Sequence, residues 1–320
     1  MNRVEVLAPD GVGEVRPGTD LVELLVPLLA LVDGDVLVIT SKVVSKAERR
    51  VVRGTREEAL AGETVRVVAR RGPTTIVRNR LGLTMAAAGI DNSNVPAGSI
   101  ALLPVDPDAS ARRVRTDVRR RTGRNVAVVV TDTAGRAWRE GQTDIAIGAA
   151  GLVVAQEYAG RTDAHGNELA VTLPAVADEI AGMADLAQGK LAGRPFAVVR
   201  GRADLVLPAD QDGPGAAALV RAEGGDLFGY GAREAVVRAL KGVAADRAPF
   251  GAPAPADEFA AAISDVLGLV PSHSTGDGGT LLVTVPKGLA RPLGALAFAH
   301  GWELVQSDSP SDARLRPVRP

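Results

Sequence analysis

Asp132 stands between Thr131 and Thr133 and follows an uninterrupted apolar run from Val126 to Val130. A carboxylate and a hydroxyl delivered together past a buried strand suit a hard divalent cation, because Mg²⁺ and Mn²⁺ prefer oxygen ligands and leave room for substrate phosphates. Arg136 and Arg139 come next, and their planar cations match phosphate or carboxylate. A second polar cluster runs from Thr40 to Lys46, where two of the five lysines in a chain with 32 arginines fall within seven residues. An ammonium beside Ser41, on Lys42 or Lys46, can follow a moving phosphoryl group as a point charge. The third cluster is Asp91-Asn-Ser-Asn94. Its aspartate, together with Asp132, could hold one or two Mg²⁺ or Mn²⁺ ions that bridge phosphate oxygens.

Each cluster alone has a plainer reading. Asp132 can be a turn residue with surface arginines after it, the Thr40 segment a capped helix start with solvated lysines, and Asp91 to Asn94 an Asx-rich turn. Their convergence is the inference. The chain has no GxxxxGK[ST] phosphate loop, and Gly11-Val-Gly13 is too short for a dinucleotide fingerprint.

The elements that must position these residues read as alternating strands and helices. Val4 to Leu7 and Val36 to Ile39 are strand candidates on either side of an apolar helix from Leu21 to about Leu31. β-Branched Val126 to Val130 fits a strand covered on both faces or a buried helix segment, and Gly123 before it and Gly135 after it favour the strand. Thr55 to Arg71 has helical composition, with early glutamates and late arginines. Thr75 to Arg80, Leu83 to Ala88 and Ile100 to Leu103 are short strands. Asp108 to Thr122 is a helix with six arginines; its basic face is a solvated surface or a docking surface for an acidic partner. Pro174 to Lys190, Phe196 to Val199 and Asp226 to Lys241 continue as helix, strand and helix. A linker rich in Ala and Pro, Arg247 to Ala256, leads to a small α/β unit.

Composition excludes several classes. With 46% hydrophobic and 23% charged residues over 320 positions, the chain is an ordinary globular protein of about two domains. Aromatics make up only 3%, which argues against a base-stacking platform, and a net charge of −1 gives no attraction to nucleic acid. The absence of cysteine removes disulfides, thiolate metal sites and cysteine nucleophiles. His165, His273 and His300 are far apart. No stretch has the roughly 20 apolar residues of a membrane span, and the N-terminus lacks the pattern of a secretory signal, so a cytoplasmic location is expected.

Five segments together are similar to the coenzyme F420-0:L-glutamate ligase family, also called F420-0:gamma-glutamyl ligase, over about residues 1 to 245. They are ITSKVVSKAE from Ile39, NRLGLTMAAAGIDNSN from Asn79, ALLPVDPDASA from Ala101, VTDTAGRAWREGQTDIAIGAAGL from Val130 and DAHGNELAVTLPAVADEIAGMADLAQGK from Asp163. The resemblance implies a mixed α+β fold with mixed sheets, and a cytoplasmic homodimer. It also implies an enzyme that uses GTP to add L-glutamate, through an acyl phosphate, to the deazaflavin F420-0. Carried over by position, Asp91 and Asp132 would ligate one Mg²⁺ or Mn²⁺ ion and Thr133 a second, with K⁺ as an optional further ion. Ser41, Lys46 and Asn94 would contact GTP, as would the backbone of Val12, Gly13, Glu14 and Val15, and Lys46 and Asp132 would carry the chemistry. Two rivals use the same residues: a metal-dependent GTP or phosphoester hydrolase, and a deazaflavin-binding protein without turnover.

Two departures from the family pattern stand out. Where the family reads SKxEGR, this chain has Ser45-Lys-Ala-Glu-Arg49-Arg50, with Arg49 in the place of a glycine. Residues 246 to 320 form a C-terminal extension too short for the nitroreductase-like flavin domain of the bifunctional actinobacterial members, so no FMN is expected.

Overall fold

Val36–Thr40 and Ala127–Arg136 run parallel inside a five-stranded sheet, with Val38 opposite Val129 and Thr40 opposite Thr131. The strand order is Glu5–Leu7, Phe196–Arg200, Val36–Thr40, Ala127–Arg136, Arg139–Ala150, and every other pairing in the sheet is antiparallel. Successive strand residues face opposite sides. Leu37, Ile39, Val128, Val130, Phe196 and Val198 therefore enter one core, and Val36, Val38, Ala127, Val129, Ala197 and Val199 the other. The first core is closed by Leu21, Val22 and Leu25, by Val43 and Val44, and by Val114 and Val118. The second is closed by Val176, Ala177, Ile180 and Ala184 of the Val176–Gln188 helix. Cover on both faces is why these strands read as continuous apolar runs. The architecture is mixed α+β with mixed sheets.

The computed structural model describes residues 3–222, 225–226, 228–273, 279–305 and 312–318. Its contacts divide the chain into Met1–Val220 and Arg221–Pro320. The boundary falls earlier than the expected 245/246 because Tyr230 to Asp246 packs within the second unit. Tyr230 stacks edge-on to Phe250, its hydroxyl donates to the Asp246 carbonyl, and Arg238 pairs with Asp246. The expected linker is likewise packed: Pro249 is buried, and Trp302 Nε1 donates to the Ala254 carbonyl. This second unit pairs Ser272–His273, Leu281–Thr284, Asp312–Pro317 and Trp302–Val305 in that order, with helices Ala256–Leu267 and Ala290–Ala299. Phe259, Ile263, Leu281, Leu293, Trp302 and Leu315 form its core.

Several other expectations shift. The first helix stops at Leu25, two residues before Pro27, instead of reaching Leu31. Thr55 to Arg71 is not one helix. A capping box between Thr55 and Glu58 starts Arg56–Glu63, after which β-branched Thr64 and Val65, then Val67 and Val68, turn the chain into a strand, Thr64–Arg71. The arginine-rich helix, Pro107–Thr122, does not present a uniform basic face. Arg115 is buried, and Arg112, Arg113, Arg120 and Arg121 pair with Asp106, Glu48, Asp117 and Asp20. The largest departure is the strand carrying Asp132, which runs on to Arg136 and forms a hairpin with Arg139–Ala150.

Candidate active site

The parallel register sets the centre of the site. With Thr40 opposite Thr131, Ser41 at the start of the Ser41–Ala47 helix comes abreast of Asp132, and its Oγ donates to Asp132 Oδ1 at 2.9 Å. The next residue, Lys42, donates through Nζ to Asp91 Oδ2 and to Ser93 Oγ, both at 2.5 Å. Consecutive residues of one helix thus hold the two aspartates that lie 41 positions apart in the chain. Asp91 is fixed in turn by an antiparallel bridge to Ala101.

Strand alternation puts Thr131 and Thr133 on the face opposite Asp132. There the antiparallel partner supplies Asp144, which accepts from Thr131 Oγ1 at 2.9 Å and from Thr133 Oγ1 at 2.8 Å. Lys190 Nζ donates to Thr133 Oγ1 at 3.2 Å.

Charge is concentrated here. Burial pushes the Asp132 carboxyl up to about 7; the Ser41 hydrogen bond opposes this, and the charges of Asp144 and Asp91 add to it. Burial also acts on Asp91, but the Lys42 ammonium and the Ser93 amide and hydroxyl outweigh it and hold this carboxyl below its ordinary value. Asp185 is raised by burial and by Asp144, against the pull of Lys190.

A cleft of about 360 Å³ opens beside these groups, lined by Val12, Gly13, Glu14 and Val15, by Thr40, Lys42 and Lys46, and by Ser93, Asn94, Thr133 and Asp144. Its far wall is Asp185 together with the loop from Gln188 to Pro195. Ser41, Asp91 and Asp132 are not part of this lining; Asp91 is bonded to it through Lys42 and Ser93, and Ser41 and Asp132, bonded to each other, are adjacent in the chain to Lys42 and Thr133. The N-terminal segment is tied down at both ends: Gly18 N–H donates to the Ala47 carbonyl, and Arg194 Nε to Asp10. The Lys46 ammonium has no hydrogen-bond or ion-pair partner among the described residues, and Lys46 lines the cleft.

Of the residues that the family resemblance assigns to the site, Val12 to Val15, Lys46, Asn94 and Thr133 line one cleft, and Ser41, Asp91 and Asp132 are bonded or adjacent in the chain to residues that line it. Arg136 and Arg139 do not line it. The strand carries Arg136 three residues past Thr133, roughly 10 Å, to the exposed hairpin tip, where it donates to the Glu140 carbonyl. Sequence reading missed Asp144, Asp185 and the Gln188–Pro195 loop. For Asp144 a signal existed, since Thr131, Thr133 and a carboxylate past Gly141 fit the two facing strands of a hairpin.

The donor set suits a hard cation. Ser41 and Lys42 hold Asp132 and Asp91 on one side of the strand, Thr133 stands on its other side, and the ammonium groups of Lys42 and Lys190 already sit on Asp91 and Thr133. Among the described residues no three His, Cys, Asp or Glu side chains converge as a metal cage. Two carboxylates and a hydroxyl fit an ion that draws its remaining ligands from water and phosphate.

The span that builds this cleft also carries the likeness to known proteins: the F420-0:Gamma-glutamyl ligase family matches residues 11–201. The chain belongs to that family. Among F420-0:gamma-glutamyl ligase relatives, it is 39% identical over 221 residues to the Coenzyme F420:L-glutamate ligase of Archaeoglobus fulgidus, covering 62% of this chain and 88% of that protein. It is 40% identical over 209 residues to the protein of the same name from Methanopyrus kandleri, covering 59% and 83%. With the one from Haloarcula marismortui the figures are 38% over 224 residues, 62% and 87%. The family span ends before the second unit begins at Arg221.

Proposed function

We propose that the protein adds L-glutamate to the deazaflavin F420-0, using GTP and a divalent ion. The observation that carries this reading is one cleft, within the family span, that gathers Val12 to Val15, Lys46, Asn94 and Thr133, with Asp91 bonded to its Lys42 and Ser41 and Asp132 bonded to each other beside Lys42 and Thr133 in the chain. In this reading the N-terminal backbone, Ser41 and Asn94 seat the nucleotide. Asp91 and Asp132 hold one Mg²⁺ or Mn²⁺ ion and Thr133 a second. Bound there, such ions neutralise phosphate oxygens. Lys46, whose ammonium has no partner among the described residues, stabilises the charge of the γ-phosphoryl group as it moves. The terminal carboxylate of the acceptor attacks the γ-phosphorus, releasing GDP and forming an acyl phosphate. The amine of glutamate then attacks the acyl carbon, phosphate leaves, and an amide bond results.

Purified protein incubated with F420-0, GTP, Mn²⁺ and L-glutamate should yield deazaflavin heavier by glutamate increments, with one GDP per increment by mass spectrometry and nucleotide analysis. GDP without added mass would establish a hydrolase instead, and chromophore binding with neither product a carrier. A cytoplasmic homodimer is part of the same proposal, and light scattering should give twice the 32.9 kDa chain mass.

A further inference from the structure

We propose that Asp144 is a positioning residue that fixes the Thr133 hydroxyl as a lone-pair donor to a cation; this rests on the reading above that Thr133 ligates a divalent ion. Asp144 is only 6% exposed, and both its oxygens are engaged, by Thr131 and by Thr133. A carboxylate only accepts hydrogen bonds, so the hydroxyl protons of both threonines are committed to it. With its proton turned inward, Thr133 Oγ1 presents lone pairs to the cleft. What lies against them is a cation, the Lys190 ammonium.

Thr131 completes the device. It is fully buried, so water does not compete for its hydroxyl, which holds Asp144 Oδ2 while Oδ1 serves Thr133. Without the carboxylate, the Thr133 hydroxyl can rotate and aim its proton at the cleft, where it repels a metal ion. Groups that orient a metal ligand in this way are worth about 10- to 100-fold in metal affinity. Asp144 owes its place to the hairpin register, which sets it opposite Thr133.

The test is Mn²⁺ titration of the full chain with GDP present, followed by the EPR signal of free Mn²⁺, for the parent, Thr133→Val and Asp144→Asn. Asn keeps the volume of Asp but can accept from only one of the two hydroxyls with its single oxygen. The expected result is that Thr133→Val loses one Mn²⁺ equivalent. Asp144→Asn should weaken that same equivalent about 10- to 100-fold and leave the other as in the parent. In turnover assays the Mn²⁺ activation constant should rise by the same factor, while KM for L-glutamate stays unchanged. Should Asp144→Asn not fold, judged by circular dichroism, Asp144→Ala takes its place with the same expectation.

Two equivalents intact in the Asp144 variant, while Thr133→Val loses one, would overturn the positioning role. So would outright loss in the Asp144 variant with Thr133→Val unaffected, which makes Asp144 itself the ligand. No loss in any variant would overturn the Thr133 assignment beneath it, and the glutamate-addition assay then shows whether the ligase reading survives alone.

Discussion

At the scale of single residues, Asp132 and Arg49 carry the sharpest consequences. Asp132 has its carboxyl raised from 3.8 to about 7, so the folded chain binds a proton there that the unfolded chain releases. Its contribution to stability is fully present below about pH 4 and is lost as pH rises through about 7. Thermal unfolding in EDTA should therefore show stability falling across that window. Asp132→Asn should remove that part of the slope, leave the fold intact, and lower turnover about 100-fold or more by weakening a metal ligand. Unaltered rates in this variant would remove the metal assignment. Arg49 occupies the left-handed region at φ 62°, where glycine carries no Cβ penalty. The glycine that the resemblance implies for the family at this position would have a backbone reason. Arg49→Gly should stabilise the chain by about 1 kcal/mol, raising Tm by a few degrees in calorimetry.

At the scale of elements, the site depends on how one helix and two strands are locked together. Arg115, at the middle of the Pro107–Thr122 helix, donates to the carbonyls of Val126, Leu207, Pro208 and Gln211 and to the side chains of Asn125 and Asp212. It thereby joins that helix to the entry of the Asp132 strand. Arg115→Met leaves these acceptors without their donor and should cost about 3 to 5 kcal/mol, measured by urea unfolding. A loss below 1 kcal/mol would show that the element is held mainly by its apolar face. The arginine spacing visible in the sequence could not distinguish this buried residue from its ion-paired neighbours. Periodicity finds a helix face but does not say which acceptors surround it.

For the whole molecule, the division after Val220 predicts where the catalytic part ends. A chain stopping at Val220 should keep glutamate addition at a rate within a few-fold of the full chain. One stopping at residue 245 retains Tyr230 and Arg238 but lacks Phe250 and Asp246, their partners. It should be the more prone to aggregation, as sizing chromatography would show. Loss of all activity in the shorter chain would assign the second unit a part in turnover.

The sequence by itself pointed to the central strands: a short apolar run such as Val126 to Val130 fits a buried helix segment as well, but its β-branched residues and the flanking Gly123 and Gly135 favour a strand covered on both faces. It also determined the polar residues that follow them, since carboxylate, hydroxyl and ammonium groups are chemical facts of composition. Tertiary structure alone decided which groups meet. Parallel pairing sets Ser41 against Asp132, the continued hairpin brings Asp144 to Thr133 and carries Arg136 away, and the Gln188–Pro195 loop closes the cleft. Those contacts depend on strand register and on pairings between residues dozens of positions apart. A one-residue change of register would send each side chain to the other face; within the hairpin a local pattern hinted at it, but which distant segments pair is written in no one local stretch.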